Sequence, residues 1–168
     1  MATTSDLLRD TLSRVRETVH AVLESTPEDR LADPPAEGAN MVSWLVWHLT
    51  RVLDEQVADV FGYDAVWEAG GWRERMALPL PPDAHGYGMT FDDVLRVRAS
   101  AAHLRGYFDA ASTAADEVLR TVTDPELDRV VDEHWDPPVT LAVRLVSVLD
   151  DCTQHAGQAA YASGILTR

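Results

Sequence analysis

Residues 139–164 read VTLAVRLVSVLDDCTQHAGQAAYASG, and this stretch decides the fold. Leu141, Leu145, Val148, Cys152, His155, Ala159 and Ala162 recur in steps of three and four, the period of an α-helix with one buried stripe. The run is about 26 residues long with no proline after Pro138, so the spacing predicts a long helix starting at Val139 or Thr140 and ending near Gly164. Asp151 and His155 sit four apart, one turn from each other on the same face and beside the apolar stripe. A carboxylate and an imidazole on a core face need a partner, because burying polar groups unpaired is costly.

Three further helices are legible upstream. Thr4 or Ser5 is placed to cap the first, with Asp6 in its opening turn and Leu8, Leu12, Val15, Val19 and Val22 as its stripe, up to Ser25-Thr26-Pro27. The second starts near Asn40 and ends at Gly62. It aligns Met41, Leu45, His48 and Val52, broadened by Val42, Leu49, Leu53 and Val60. Thr90 caps the third, in which Val94, Val97, Ala101, Leu104, Phe108, Ala111, Ala115, Val118 and Val122 alternate without a break. A short extended piece fits between Leu127 and Val139, before Pro137-Pro138 hand over to the last helix. No repeat or domain boundary interrupts the chain. The expectation is therefore one all-α domain over residues 1–168, a four-helix bundle with a long irregular loop, 62–89, between helices two and three. A loop of that length in a small domain is a covering or binding segment.

Bulk properties narrow the function. The net charge is −14 and the pI is near 4.6, which argues against nucleic acid and anionic membrane surfaces as partners. All 14 basic residues are arginine, as in proteins of GC-rich genomes. One cysteine excludes an internal disulfide and suits a reducing cytoplasm. Neither a secretory leader nor a membrane-length apolar run is visible.

The second helix carries a histidine, His48, on its own core stripe. With Asp151 and His155 it makes a candidate three-ligand set for a divalent metal, leaving one coordination position open for water or substrate. The ordinary alternatives are a core His155 hydrogen-bonded to Asp151 and a His48 ring stacked on Trp44 or Trp47. Asp150 is the competing carboxylate, but five residues from His155 it points off the face. Cys152 reads as inert packing. His85 lies in the loop, either solvated or as a proton relay, and His20, His103 and His134 read as surface or second-layer residues. Gln158, one turn past His155, either orients a ligand or packs. Arg51 and Arg144 either bind an anionic substrate or pair with the excess acids, the latter being the default. Trp44, Trp47, Trp67, Trp72 and Trp135 are expected mostly in the core or at a subunit interface.

Three motifs carry a resemblance: Trp47-His48-Leu49-Thr50-Arg51, Trp135-Asp136-Pro137-Pro138-Val139-Thr140, and Gln154-His155-Ala156-Gly157-Gln158. Over essentially its whole length the chain resembles the DinB-like superfamily of metal-binding four-helix bundles. Within it, the pattern is similar to the actinobacterial branch related to mycothiol S-transferases and mycothiol-dependent maleylpyruvate isomerases. The resemblance implies a metal site of one histidine on helix two and an H-x-x-x-H pair on helix four. Asp151 stands at the first position of that pair, so the implied set is His48, Asp151 and His155, with no catalytic residue beyond the ligands. It further implies a divalent ion, zinc first and nickel second, which activates a low-molecular-weight thiol, mycothiol in such a host, for attack on an electrophile. A cytoplasmic homodimer, with the sugar thiol or the electrophile covered by the 62–89 loop, completes the expectation. The rival readings are a non-enzymatic metal- or ligand-binding stress protein, a metal-free helical interaction module, and a hydrolase using the same ligands.

Overall fold

The computed structural model describes residues 1–168. Four long helices form the bundle: α1 (Thr4–Ser25), α2 (Val42–Phe61), α6 (Ala101–Leu119) and α7 (Leu141–Leu166). Three short helices, α3 (Val66–Ala69), α4 (Trp72–Met76) and α5 (Phe91–Val94), lie between α2 and α6, and a two-stranded hairpin, β1 (Val130–Asp132) and β2 (Val139–Thr140), precedes α7. The seams run α1 to α6, α6 to α2, α2 to α7 and α7 back to α1. Helices α2 and α7 therefore lie side by side, which puts His48 beside the Asp151–His155 turn.

Local chemistry sets the boundaries. The N-cap of α1 is Thr3, one residue before the expected Thr4, because Thr3 and Asp6 complete a reciprocal capping box. Gly62 ends α2 in the left-handed conformation, at φ 72°. Thr140 caps α7 by accepting from the Val143 amide. Along α1, Leu12, Val15, Val19 and Val22 are buried; each such side chain removed from water contributes about 1.5–3 kcal/mol. Helix α2 is buried on nearly every side between Val42 and Asp54, because the 62–89 segment covers the face that α6 and α7 leave open.

Two expectations are corrected. The third helix is not continuous from Thr90 to Val122. It ends after Val94, and Ser100 caps a fresh start by accepting from the His103 amide. The stripe persists across the gap because Val94, Val97 and Leu104 all reach the same core, while the Val97 carbonyl is used by the Ser43 hydroxyl at 2.6 Å. The loop 62–89 is less irregular than expected, since α3 and α4 are folded within it and pack on α6. Trp72 packs against Gly106, where a Cβ would stand 2.4 Å from the indole ring. The extended piece before α7 is the β1–β2 hairpin, antiparallel with a bulge between Val130 and Asp132. No helix is long and apolar enough to cross a membrane.

Candidate metal centre

His48, Asp151 and His155 meet where α2 faces the middle of α7. One donor atom from each lies within 4.8 Å of the other two. The imidazoles of His48 and His155 stand edge to face, with centroids 4.7 Å apart. Contrary to the expectation of a core face, Asp151 and His155 are only half-buried, because they front a cleft of ≈ 570 Å³ that His48 and Asp151 help to line.

Both histidines are oriented through Nδ1. His48 Nδ1 lies 2.6 Å from the His85 carbonyl oxygen, an acceptor only, so this nitrogen carries the proton and Nε2 keeps its lone pair. His155 Nδ1 lies 2.9 Å from Gln158 Oε1, which fixes the same tautomer. Its Nε2 then faces Asp151 Oδ1 at 3.5 Å, lone pair against carboxylate, an arrangement that only a cation or a proton between them makes favourable. Asp151 Oδ2 is buried with no hydrogen-bond partner. Burial holds His48 neutral by lowering its pKa, whereas the facing Asp151 carboxylate raises that of His155. Two imidazoles with their far nitrogens committed, plus an orphaned carboxylate oxygen, fit a divalent ion with positions to spare. The stacking alternative is also realised in part: His48 lies flat on Trp44, centroids 4.7 Å apart and planes 19° apart. This fixes the ring without using its Nε2.

A sequence profile of the mycothiol-S-transferase family matches residues 7–165. The chain belongs to that family. Its all-α DinB-like bundle is also similar to a conserved protein of Enterococcus faecalis known from a crystal structure. The two are 30% identical, with a TM-score of 0.92 over 99% of this chain and 98% of that one. No curated protein sequence matches it.

In this family member the other expected residues sort cleanly. Asp150 is exposed and bound to Gln154, so Asp151 is the carboxylate at the site. Gln158 orients His155. The His85 carbonyl holds His48, and its own Nδ1 accepts from the Tyr87 amide at 3.3 Å. Cys152 is fully buried, donates to the Leu49 carbonyl at 3.6 Å, and has its thiol pKa raised by burial. His20 pairs with Asp109 between α1 and α6, His134 pairs with Asp132 but is itself exposed, and His103 is exposed. Arg144 pairs with Asp132 at 2.9 Å and with Gln56. Trp44, Trp47 and Trp67 are in the core as expected, but Trp135 is 65% exposed, because it sits in the β1–β2 turn at the edge of the cleft.

Of the two residues that hold the cover, Arg51 follows its expected default of pairing with an acid, and Asp54 was not singled out from sequence. Arg51 is 1% exposed, stacks over the Trp67 ring, pairs with Glu55 and donates Nε to the Ala84 carbonyl at 3.1 Å. Asp54, equally buried, accepts from the Val66 and Trp67 amides at 2.9 and 2.8 Å and from the Tyr107 hydroxyl at 2.8 Å. Together they fix the segment whose His85 carbonyl orients His48. Gly86 closes the contact: its φ is +107°, and a Cβ there would stand 2.1 Å from His48 Nδ1. The readable signal was the first half of α2, apolar on most sides, where a charged residue such as Arg51 or Asp54 must be buried and paired.

Proposed function

We propose that this chain is a metal-dependent thiol S-transferase whose ligands are His48, Asp151 and His155, with zinc as the first choice of ion and nickel as the second. The supporting observation is the orphaned Asp151 Oδ2 beside two imidazoles already bonded through Nδ1. When bound, the ion supplies the positive charge that lowers a thiol pKa and makes thiolate available at neutral pH. The thiol loses its proton, sulfur forms a bond to an electrophilic carbon, and the leaving group departs with the former bonding pair. The family points to mycothiol as the thiol.

The chain's own residues bind and orient. The His85 carbonyl and Gln158 hold the two rings, Trp44 backs His48, and the cleft admits the thiol and the electrophile from one side. A single carboxylate against a divalent ion leaves net positive charge for an anionic sulfur. The same reading carries a cytoplasmic homodimer with small-molecule partners only.

The test is elemental analysis of untagged wild type beside His155→Ala, followed by conjugation assays with and without thiol. About one divalent ion per chain, lost in the variant, with thiol-dependent thioether formation, is the expected result. No ion after reconstitution with zinc or nickel overturns the reading in favour of a metal-free module. Metal without conjugation would leave a binding protein, and turnover without thiol a hydrolase.

A further inference from the structure

The cleft in front of the donor set has two unlike walls. On one side stand His85 and Tyr87 of the cover. On the other, the β1–β2 hairpin and α7 present Trp135, Asp132 and Arg144, with Gln56 reaching across from α2. Arg144 carries no unmatched charge with which to hold an anion, although its remaining N–H groups can still donate. Its NH2 is bound to Asp132 at 2.9 Å and its NH1 to Gln56, and the chain as a whole carries −14. Binding through its carbonyl oxygen turns the Gln56 amide nitrogen away from Arg144, free to donate. This wall therefore offers acceptor and donor groups side by side, held in place by their own pairing, and both Asp132 and Arg144 are about four-fifths buried (side-chain exposures of 21% and 18%). Next to them an indole is 65% exposed at the cleft edge.

That combination suits hydroxyl groups. Each hydroxyl donates and accepts, so a polyol matches a carboxylate, guanidinium and amide set that a phosphate or an alkyl chain would leave half-satisfied. The C–H face of a sugar ring also gives an exposed indole an apolar partner while leaving the ring's edges free to hydrogen-bond. We propose that the Trp135–Asp132–Arg144–Gln56 wall is the subsite for the sugar portion of the thiol substrate. The reacting sulfur then points to the donor set, and the electrophile enters along the Tyr87 side. The assignment takes the identity of its ligand from the thiol-transferase reading. It places the sugar against the hairpin and not under the 62–89 cover.

Two probes separate the subsite from the chemistry. The first is an S-methyl derivative of N-acetylcysteine joined by an amide to glucosamine, titrated into the metal-loaded protein while tryptophan fluorescence is followed. Saturable binding that weakens about fivefold or more in Trp135→Ala and in Gln56→Ala is expected. S-methyl-N-acetylcysteine without the sugar should bind the three proteins alike. The second is conjugation with the free-thiol forms of both probes. Trp135→Ala should raise KM for the sugar thiol by a similar factor, with kcat little changed and no effect on the sugar-free thiol. Equal losses for both thiols, or a raised KM for the electrophile alone, would overturn the assignment by making Trp135 an electrophile platform. So would no change in either variant. Sugar-dependent binding without any conjugation would keep the subsite and sink the transferase reading.

Discussion

The two segments that flank the donor set are built on opposite plans. The cover, residues 62–89, is fastened from below by charged side chains of α2 that are almost wholly buried. Arg51 and Asp54 reach its main chain, and the Gly86 backbone presses on the His48 ring. The β1–β2 hairpin is fastened by main-chain bonds at the root of α7, Leu141 to Arg129 and Ala142 to Leu127, and shows its polar and aromatic side chains to the cleft. The first segment spends its polar groups on fixing an imidazole. The second pairs Asp132 with Arg144 and His134 and leaves the Trp135 ring exposed at the cleft edge. A buried anchor costs desolvation but tolerates little movement, which suits a group that must hold a tautomer. A surface hairpin can change its side chains without disturbing the core.

The sharpest way to break this contrast is at Asp54. Asp54→Ala strands two amides and a buried hydroxyl, so global stability should fall by about 3 kcal/mol in denaturant unfolding. Amide exchange should accelerate selectively over residues 62–89 and not in the hairpin. Equal acceleration in both segments would show that the cover is not separately anchored.

Gly86→Ala probes the same anchor closer to the imidazole. A Cβ at φ +107° is strained and collides with His48, so the cover must retreat. Folding should weaken by about 1–3 kcal/mol. Affinity for zinc, read by competition with a chromophoric chelator, should drop about 10–100-fold, the cost of removing a group that orients a ligand. Unchanged affinity would mean that the His85 carbonyl does not set the His48 tautomer.

The smallest effect is expected far from both segments, on the α1–α6 seam. The Arg9 guanidinium hydrogen-bonds Asp116 at 2.7 Å and lowers its pKa. A depressed carboxylate stabilises the fold above its unfolded pKa, and that contribution is lost as pH falls through the folded value. Asp116→Asn should therefore lower Tm slightly at pH 7, by the equivalent of about 0.5 kcal/mol. The gap from wild type should close as pH falls below the ordinary carboxylate range and through the depressed folded value. A gap that persists there would mean that shape, and not charge, makes the contact.

The sequence discloses what repeats and hides what is unique. Steps of three and four revealed all four long helices, and the i, i+4 relation of Asp151 to His155 together with His48 on a facing stripe brought the donor set into view. Val94, Val97 and Ala101 kept the period although the chain leaves the helix between them, because a stripe records burial and not backbone dihedrals. The role of His85 was hidden because its carbonyl does the work, and every residue has a carbonyl. Gly86 matters through the Cβ it lacks. Trp135 was grouped with the other tryptophans, most of them expected in the core or at an interface, and a turn between two short strands holds it at the surface.

Cys152 lies one residue from Asp151, yet its sulfur faces the Leu49 carbonyl in the core. On the proposed thiol-transferase reading, the protein meets small-molecule disulfides whenever its surroundings turn oxidising. Exchange needs an attacking thiolate with room for the partner, and the chain's one sulfhydryl has neither exposure nor an ionised form to offer. Such a protein would pass through an oxidative episode without being capped by the oxidised form of its own co-substrate.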